Sequence, residues 1–114
     1  MTDCIFCKIA RKEIAATEVM RTERVVAFRD LNPQSPAHVL VIPTRHVDNL
    51  TEFLAAAPDE EIAELMRAVG KIGGEIGAAG GYRVVSNQGR DGGQTVYHLH
   101  WHILAGRRMT WPPG

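Results

Sequence analysis

The chain has 114 residues, with 13 basic and 13 acidic side chains and a sequence pI near 7.0. This length predicts one domain with a real core and is too short for two. The charge balance argues against binding of a nucleic acid polymer, because such proteins usually carry a basic excess. No apolar run reaches the roughly 18 residues of a membrane span, and no signal peptide is visible at the start, so we expect a cytoplasmic protein.

The N-terminal segment predicts a short helix with one apolar side. Cys4 and Cys7 form a C-x-x-C pair at its start. In a reducing compartment this pair indicates half of a zinc site or a redox pair rather than a structural disulfide, and no preceding strand supports the redox alternative. The apolar residues at roughly helical spacing are Ile5, Phe6, Ile9 and Ile14.

Two strands should follow this helix. Residues 24–29 predict the first, which stops at the proline-rich turn of residues 30–36. Residues 37–43 predict the second, and they are so apolar that this strand should be central in its sheet.

A long amphipathic helix occupies the middle of the chain, after a short segment with helical character at residues 46–54. It begins at Pro58, which is followed by acidic residues in the first turn, and it ends at Gly77. Its apolar residues repeat at steps of three and four: Ile62, Leu65, Met66, Val69, Ile72 and Ile76.

The last third predicts two strands, residues 82–87 and 95–105, joined by a glycine-rich turn at residues 88–94. The whole pattern predicts an α+β fold with a mostly antiparallel sheet, one long helix and a short N-terminal helix. A sheet this small has edges to cover, and dimerisation through the long helix or an edge strand would cover them.

The most informative feature is the alternation of His98, His100 and His102 in the last strand. On a strand, this spacing aims all three imidazoles at one face and leaves the residues between them for burial. Imidazole can attack, accept a proton or bind a metal near neutral pH. Adjacent members lie about 6.6 Å apart at Cα, which suits two convergent metal ligands better than three. Spacing alone does not distinguish a zinc-dependent hydrolase from an enzyme that uses a histidine as its nucleophile.

The segment Asp91-Gly92-Gly93-Gln94-Thr95 runs directly into this strand. Taken alone, it is a good hairpin turn. Beside the histidines, glycines let backbone N–H groups approach an anion, and the hydroxyl of Thr95 could reach into the site. The combination suits a phosphoryl group, which one imidazole could attack while its neighbours stabilise charge.

His38 begins the second strand and His46 follows it. Either histidine alone is more often a surface or hydrogen-bonded residue than a ligand. Together with Cys4, Cys7 and one histidine of the alternating row, His46 could complete a Cys₂His₂ zinc site that ties the N-terminus to the sheet.

The run from His98 to Leu104 matches the His-φ-His-φ-His-φ-φ signature of the histidine triad superfamily. The chain most closely resembles the branch of histidine triad nucleotide-binding proteins, which are nucleoside phosphoramidate hydrolases. The segments that resemble this branch cover nearly the whole chain: residues 5–9, 11–14, 28–34, 42–43, 91–94 and 111–114.

The resemblance implies a single HIT domain over residues 1–114 and a reaction without a catalytic cofactor. His100 would attack the α-phosphorus and form a nucleotidyl-histidine, from which water releases the nucleoside monophosphate. His102 and His38 would contact the phosphate or leaving group, and Thr95 would help to protonate the departing amine. His98 would orient the nucleophile or, with zinc bound, serve as the fourth ligand beside the two cysteines and His46.

The resemblance also implies a purine nucleotide site and a homodimer. Asp30 would accept hydrogen bonds from the ribose, Asn87 and Gln94 would contact phosphate or leaving group, and the ending Trp-Pro-Pro-Gly would reach the partner's site. The nucleotide-binding residues carried over are Ile5, Phe6, Ile9, Ile14, Phe28, Arg29, Asp30, Leu31, Asn87, Gly93, Gln94, Thr95, His100 and His102.

Two further alternatives remain beside the zinc-dependent hydrolase. One is a nucleotide-binding regulatory module with little turnover, and the other is hydrolysis of dinucleotide polyphosphates, an activity of a related branch. The chain departs from the family pattern at Trp101, because smaller aliphatic residues are common between triad histidines. The back of the strand must therefore accommodate a large ring.

Overall fold

A computed structural model describes residues 4–114, and within them five strands form one antiparallel sheet in the order β1-β2-β3-β5-β4. The predicted α+β fold with a mostly antiparallel sheet is confirmed. The elements in chain order are α1 (Ile5–Ala10), β1 (Glu18–Arg21), β2 (Val25–Arg29), β3 (Ala37–Pro43), α2 (Leu50–Ala56), α3 (Asp59–Ile76), β4 (Tyr82–Val85) and β5 (Trp101–Ala105).

The edge strand β1 has no counterpart in the sequence prediction. Two of its four residues are exposed and the other two are partly buried, and two of the four are charged, so they show no apolar alternation. Pairing with β2 holds them in place, with a bulge between Glu18 and Met20. Such a strand is defined by its neighbour rather than by its own pattern.

The histidine strand is shorter than predicted, because β5 begins only at Trp101. The pairing with both neighbouring strands ends here. The last pair with β4 joins Val85 to His102, and the last pair with β3 joins Val41 to Trp101. Ahead of β5 the chain instead bonds to a loop, where the N–H of Leu99 donates to the carbonyl of Val47 over 2.8 Å. The predicted short hairpin turn is therefore a connection of residues 86–100.

The sheet has a buried layer on each face. The α3-side core includes alternate residues of β2 and β3 together with Leu99 and Ile103, and Trp101 packs against it. The α1-side core contains Phe6, Ile9, Val26, Phe28, Leu40 and Ile42. Because odd-numbered residues from 99 to 103 point to the α3 side, the even-numbered histidines face the α1 side, as the alternation predicts.

Trp101 fits on the back of β5, where its ring is partly buried. Its indole Nε1 is buried, and no other residue of the described chain hydrogen-bonds to it. A donor left unpaired in this way costs about 1–3 kcal/mol.

The long helix begins and ends as predicted. Asp59, Glu60 and Glu61 occupy its first turn, where acidic groups stabilise a helix, and Gly77 caps its end. A Cβ at Gly77 would lie 2.7 Å from the carbonyl oxygen of Gly81, so the tight return to β4 requires glycine. Among residues 4–114, no helix is both long and apolar enough to cross a membrane.

Candidate functional site

The ring of His100 is fixed in orientation by a hydrogen bond from one of its two nitrogens. Its Nδ1 lies 2.8 Å from the carbonyl oxygen of His98, and a carbonyl can only accept a hydrogen bond, so Nδ1 carries the proton. In the neutral form of this ring, Nε2 is therefore unprotonated and has a free lone pair. The ring is buried, and the Phe6 ring meets it edge to face at a centroid distance of 5.1 Å. A nucleophilic imidazole needs this combination of a fixed orientation and a free lone pair.

His38 and His102 form a hydrogen-bonded pair next to His100. The backbone N–H of Gln34 donates to Nδ1 of His38 over 3.0 Å, so the proton of a neutral His38 is on Nε2. That Nε2 lies 2.9 Å from Nδ1 of His102 and donates to it. His102 therefore carries its own proton on Nε2, which makes this atom a hydrogen-bond donor.

Burial keeps both members of this pair neutral. Desolvation lowers the pKa of His38, although the carboxylate of Asp30 opposes this effect at 3.5 Å from Nε2. Desolvation, with smaller contributions from His100 and His38, lowers the pKa of His102 to about 4. At neutral pH these imidazoles act as oriented hydrogen-bonding groups rather than as fixed positive charges.

A largely apolar cavity of about 320 Å³, the α1 cavity, lies beside His100 and His102. It brings together eleven predicted nucleotide-binding residues: Ile5, Phe6, Ile9, Ile14, Phe28, Arg29, Asp30, Leu31, Thr95, His100 and His102. Ala15, Ala16, Leu40 and Val96 line the same cavity and were missed. Of these, Leu40 could have been found, because it alternates with His38 on β3. A larger depression of about 630 Å³ lies elsewhere, and none of its lining residues is a histidine.

The remaining three predicted nucleotide-binding residues lie outside the α1 cavity. Asn87 lines a second depression of about 320 Å³, which shares Asp30 and His102 with the α1 cavity. Gly93 has a φ of +84°, and its N–H donates to the carbonyl of Arg90, so this glycine shapes the turn.

The amide of Gln94 is used entirely within the protein. Its Nε2 donates to the carbonyls of Asp48 and Val96, and its Oε1 accepts the N–H of Gly89. Gln94 is buried and fastens the glycine-rich turn to the loop after β3. It therefore holds Thr95 and Val96 at the cavity wall rather than facing the cavity itself.

Cys4, Cys7, His46 and His98 form a second site, the four-donor cluster. Their donor atoms all lie within 4.8 Å of one another. Nδ1 of His98 is 3.3 Å from Sγ of Cys4, 3.5 Å from Sγ of Cys7 and 3.2 Å from Nδ1 of His46. The predicted set of two cysteines, His46 and one triad histidine is thus brought together, and the triad member is His98.

The surroundings of the two cluster histidines fit a metal. Nε2 of His98 lies 2.9 Å from the carbonyl of Pro43, so it carries the proton, and the Nδ1 lone pair of His98 faces the thiols. Nδ1 of His46 lies 3.2 Å from Sγ of Cys7, and a carboxylate oxygen of Asp48 lies 3.4 Å from its Nε2. Metal-binding histidines are oriented in this way, and two sulfurs with two nitrogens are a set that Zn²⁺ favours. Burial lowers the pKa of His98 to about 4, so the ring is neutral, as a ligand must be.

The three triad histidines do not converge on one point. His98 faces the cysteines, whereas Nδ1 of His102 faces His38. This arrangement argues against a zinc-dependent hydrolase in which His98, His100 and His102 are the three ligands. Asp30, His38 and His102 also lie close enough to hold an ion. However, Nε2 of His38 carries a proton because its Nδ1 accepts from Gln34, so we interpret that group as a hydrogen-bonded relay.

Comparison with known proteins agrees with this geometry. The HIT domain model matches residues 11–109. A 14 kDa zinc-binding protein of Zea mays is 48% identical over 113 residues, which are 96% of this chain and 87% of that protein. A HIT family hydrolase from Legionella pneumophila Philadelphia 1 has a solved structure with 42% identity and a TM-score of 0.87, over 98% of this chain and 100% of that one.

A histidine triad protein from Clostridium difficile is also similar, with 46% identity and a TM-score of 0.84 over 96% of each chain. The family match extends from the end of α1 to beyond β5 and therefore includes the whole sheet and all three triad histidines. On the family match, the relatives and the arrangement of its histidines, the chain belongs to the HIT family.

Proposed function

We propose that this chain is a single-domain hydrolase of purine nucleoside phosphoramidates that releases a nucleoside monophosphate, such as AMP, through a nucleotidyl-histidine. The observation that carries the proposal is the free Nε2 lone pair of His100 at the wall of an apolar cavity. Membership of the HIT family and the resemblance to its nucleotide-binding branch support this choice.

In the first step, Nε2 of His100 attacks the α-phosphorus and the phosphorus–nitrogen bond breaks. The proton stays on Nδ1, which donates to the carbonyl of His98, so the phosphorylated ring is cationic and offsets the charge of the phosphate. The Nε2–H of His102 would donate to a phosphoryl oxygen. Its position is fixed in advance by the hydrogen bond from His38, and such preorganised donors are an effective way to stabilise a transition state.

The departing nitrogen must leave as a neutral amine. Thr95 lines the cavity and is exposed, so its hydroxyl can pass a solvent proton to the leaving group. In the second step, water attacks the same phosphorus, the bond between phosphorus and Nε2 breaks with its electron pair returning to His100, and the proton of the water passes to solvent. Neither step requires a metal, so we propose no catalytic cofactor.

The α1 cavity suits a nucleoside. Its apolar wall would hold the purine, and Asp30 would accept hydrogen bonds from the ribose. One oxygen of Asp30 already accepts the N–H of Asn32 over 2.8 Å, which fixes the orientation of the carboxylate. Leu31 at the edge of the cavity is 93% exposed and would be covered by a bound ligand.

We further propose a structural Zn²⁺ in the four-donor cluster. Cys4 at the N-cap of α1, Cys7 within α1, His46 after β3 and His98 before β5 would hold it. When bound, the ion would supply folding free energy by linking these three segments, and it would take no part in the reaction.

A homodimer is the assembly that we propose. Exposed apolar side chains lie on α3 at Met66 and on the edge strand β4 at Tyr82 and Val84. Trp111 near the C-terminus is 82% exposed, and we propose that this tail reaches the partner's site. Sedimentation equilibrium would test the dimer, and imaging of the tagged chain would test the predicted cytoplasmic location.

The decisive experiment is acid-quench trapping with an adenosine phosphoramidate that is labelled on phosphorus. We expect the label on the peptide that contains His100. A label on another residue would refute the assigned nucleophile. Turnover without any trapped adduct under conditions that stabilise phosphohistidine would refute the covalent mechanism, and AMP binding without turnover would favour the regulatory module.

A further inference from the structure

The four-donor cluster and the α1 cavity share the helix α1. Cys4 is the residue that caps the start of this helix, Cys7 lies in its first turn, and Phe6 and Ile9 line the α1 cavity. With only six residues, α1 cannot maintain its conformation through its own hydrogen bonds. Its position therefore depends on the groups that hold its two ends.

The two ends of α1 are held differently. At the C-terminal end, the guanidinium of Arg21 donates to the carbonyls of Ile9 and Ala10 over 3.2 and 2.8 Å. At the N-terminal end, the sulfur atoms of Cys4 and Cys7 contact the cluster histidines. A change at the cluster would thus move or release one end of the cavity wall while Arg21 retains the other.

The ring of Phe6 connects the two sites directly. It meets His98 of the cluster at 6.0 Å and 77°, and it meets His100 of the cavity at 5.1 Å and 82°. Its third ring contact is Phe28, at 5.6 Å. One buried side chain therefore touches a cluster donor, the nucleophile that we assign and the opposite wall of the cavity.

We propose that a zinc ion in the four-donor cluster and a nucleotide in the α1 cavity bind cooperatively, with Phe6 as the positioning residue between them. This inference rests on the proposed nucleotide site. With the ion bound, Cys4 and Cys7 would hold the start of α1 next to His98, and Phe6 would be held against His100 at the cavity wall. A nucleotide packed on Phe6 and Ile9 in turn holds α1 where its thiols meet the histidines. Because coupling is reciprocal, each ligand must raise the affinity for the other by the same factor.

The test uses the full chain with AMP, which is the expected product and is not consumed. The AMP dissociation constant is measured on zinc-loaded and chelator-stripped protein, and the Zn²⁺ dissociation constant is measured by competition with a coloured chelator, with and without saturating AMP. We expect both ratios to be about five- to tenfold. Circular dichroism at the assay temperature establishes whether the stripped protein is folded.

Two variants separate transmission through Phe6 from a general effect on folding. Phe6→Leu keeps an apolar side chain but removes the ring edge, and we expect its coupling ratio to fall toward one. Ile14→Ala is the matched control, because Ile14 lines the same cavity but lies outside α1. It should weaken AMP binding and keep the ratio of the unmodified protein.

Each outcome has one meaning. AMP affinity that is unchanged by Zn²⁺ overturns the coupling, and so does a failure to bind Zn²⁺. Equal coupling ratios in Phe6→Leu and Ile14→Ala overturn transmission through Phe6. This also holds if the zinc-free protein unfolds, because a coupling that acts only through folding affects both variants alike. A zinc-loaded protein that does not bind AMP refutes the proposed function instead.

Discussion

The two ends of the histidine row have different surroundings, although they lie within five residues of one strand motif. His98 is fully buried among Cys4, Cys7 and His46, and its Nε2–H donates to the carbonyl of Pro43. His102 is partly exposed and receives a hydrogen bond from His38. Between them, His100 is tied by Nδ1 to the backbone of His98. The partner of each ring determines which nitrogen is free and therefore what each imidazole can do.

The largest effect should come from removing the ring at the centre of the row. We expect His100→Ala to lower turnover of an adenosine phosphoramidate by about 10³-fold or more, because no other group supplies the nucleophile. AMP affinity by calorimetry should stay within a few-fold, since apolar contacts dominate the cavity. Near-normal turnover in this variant would show that another group attacks phosphorus, and the different roles that we propose for His100 and His102 would be wrong.

At the metal end, the expected effect is on stability. Removing Zn²⁺ should lower the free energy of unfolding by about 2.7 kcal/mol when the metal stands at 100 times its dissociation constant. Thermal unfolding with and without a chelator measures this. Cys7→Ser should show the lower stability in both conditions, because the buried thiol is part of the cluster. A chelator effect of the same size in Cys7→Ser would place the metal elsewhere.

The two histidines with lowered pKa values also predict a pH dependence for the metal-free protein. The folded pKa values of His98 and His102 are both lowered to about 4, from 6.5. As the pH falls from 6.5 toward 4, the unfolded chain takes up protons that the folded chain does not, so the free energy of unfolding falls across this range. Urea unfolding across this range measures the slope, and His102→Asn should reduce it. Stability that rises toward pH 4 would contradict the buried neutral state.

A smaller effect is expected at the ribose end of the cavity. Asp30→Asn keeps an acceptor for the N–H of Asn32 but removes the charge, so AMP affinity should fall by about tenfold. A dideoxy analogue of AMP without ribose hydroxyls should bind the variant and the unmodified protein alike. If both ligands lose affinity equally, Asp30 acts through the neighbouring His38 rather than on the ribose.

The comparison also shows which parts of the site can be predicted from sequence. The alternation of His98, His100 and His102 correctly placed them on one face, because residues i and i+2 of an extended chain point the same way. The same pattern predicted too long a strand, because β5 begins only where β3 and β4 can pair with it. The role of Gln94 was not predictable, because its amide could equally face a phosphate or, as it does, three backbone groups of two loops.

The sequence by itself determined the α+β class, the long helix, the central strand β3 and the residue types of both sites. These follow from periodicity and from the local chemistry of imidazole and thiol groups, which are properties of short segments. Only the tertiary structure decided how the histidines divide between the two sites. That division depends on Gln34, Pro43 and the backbone of His98, whose hydrogen-bonding groups meet the rings only after distant segments fold together.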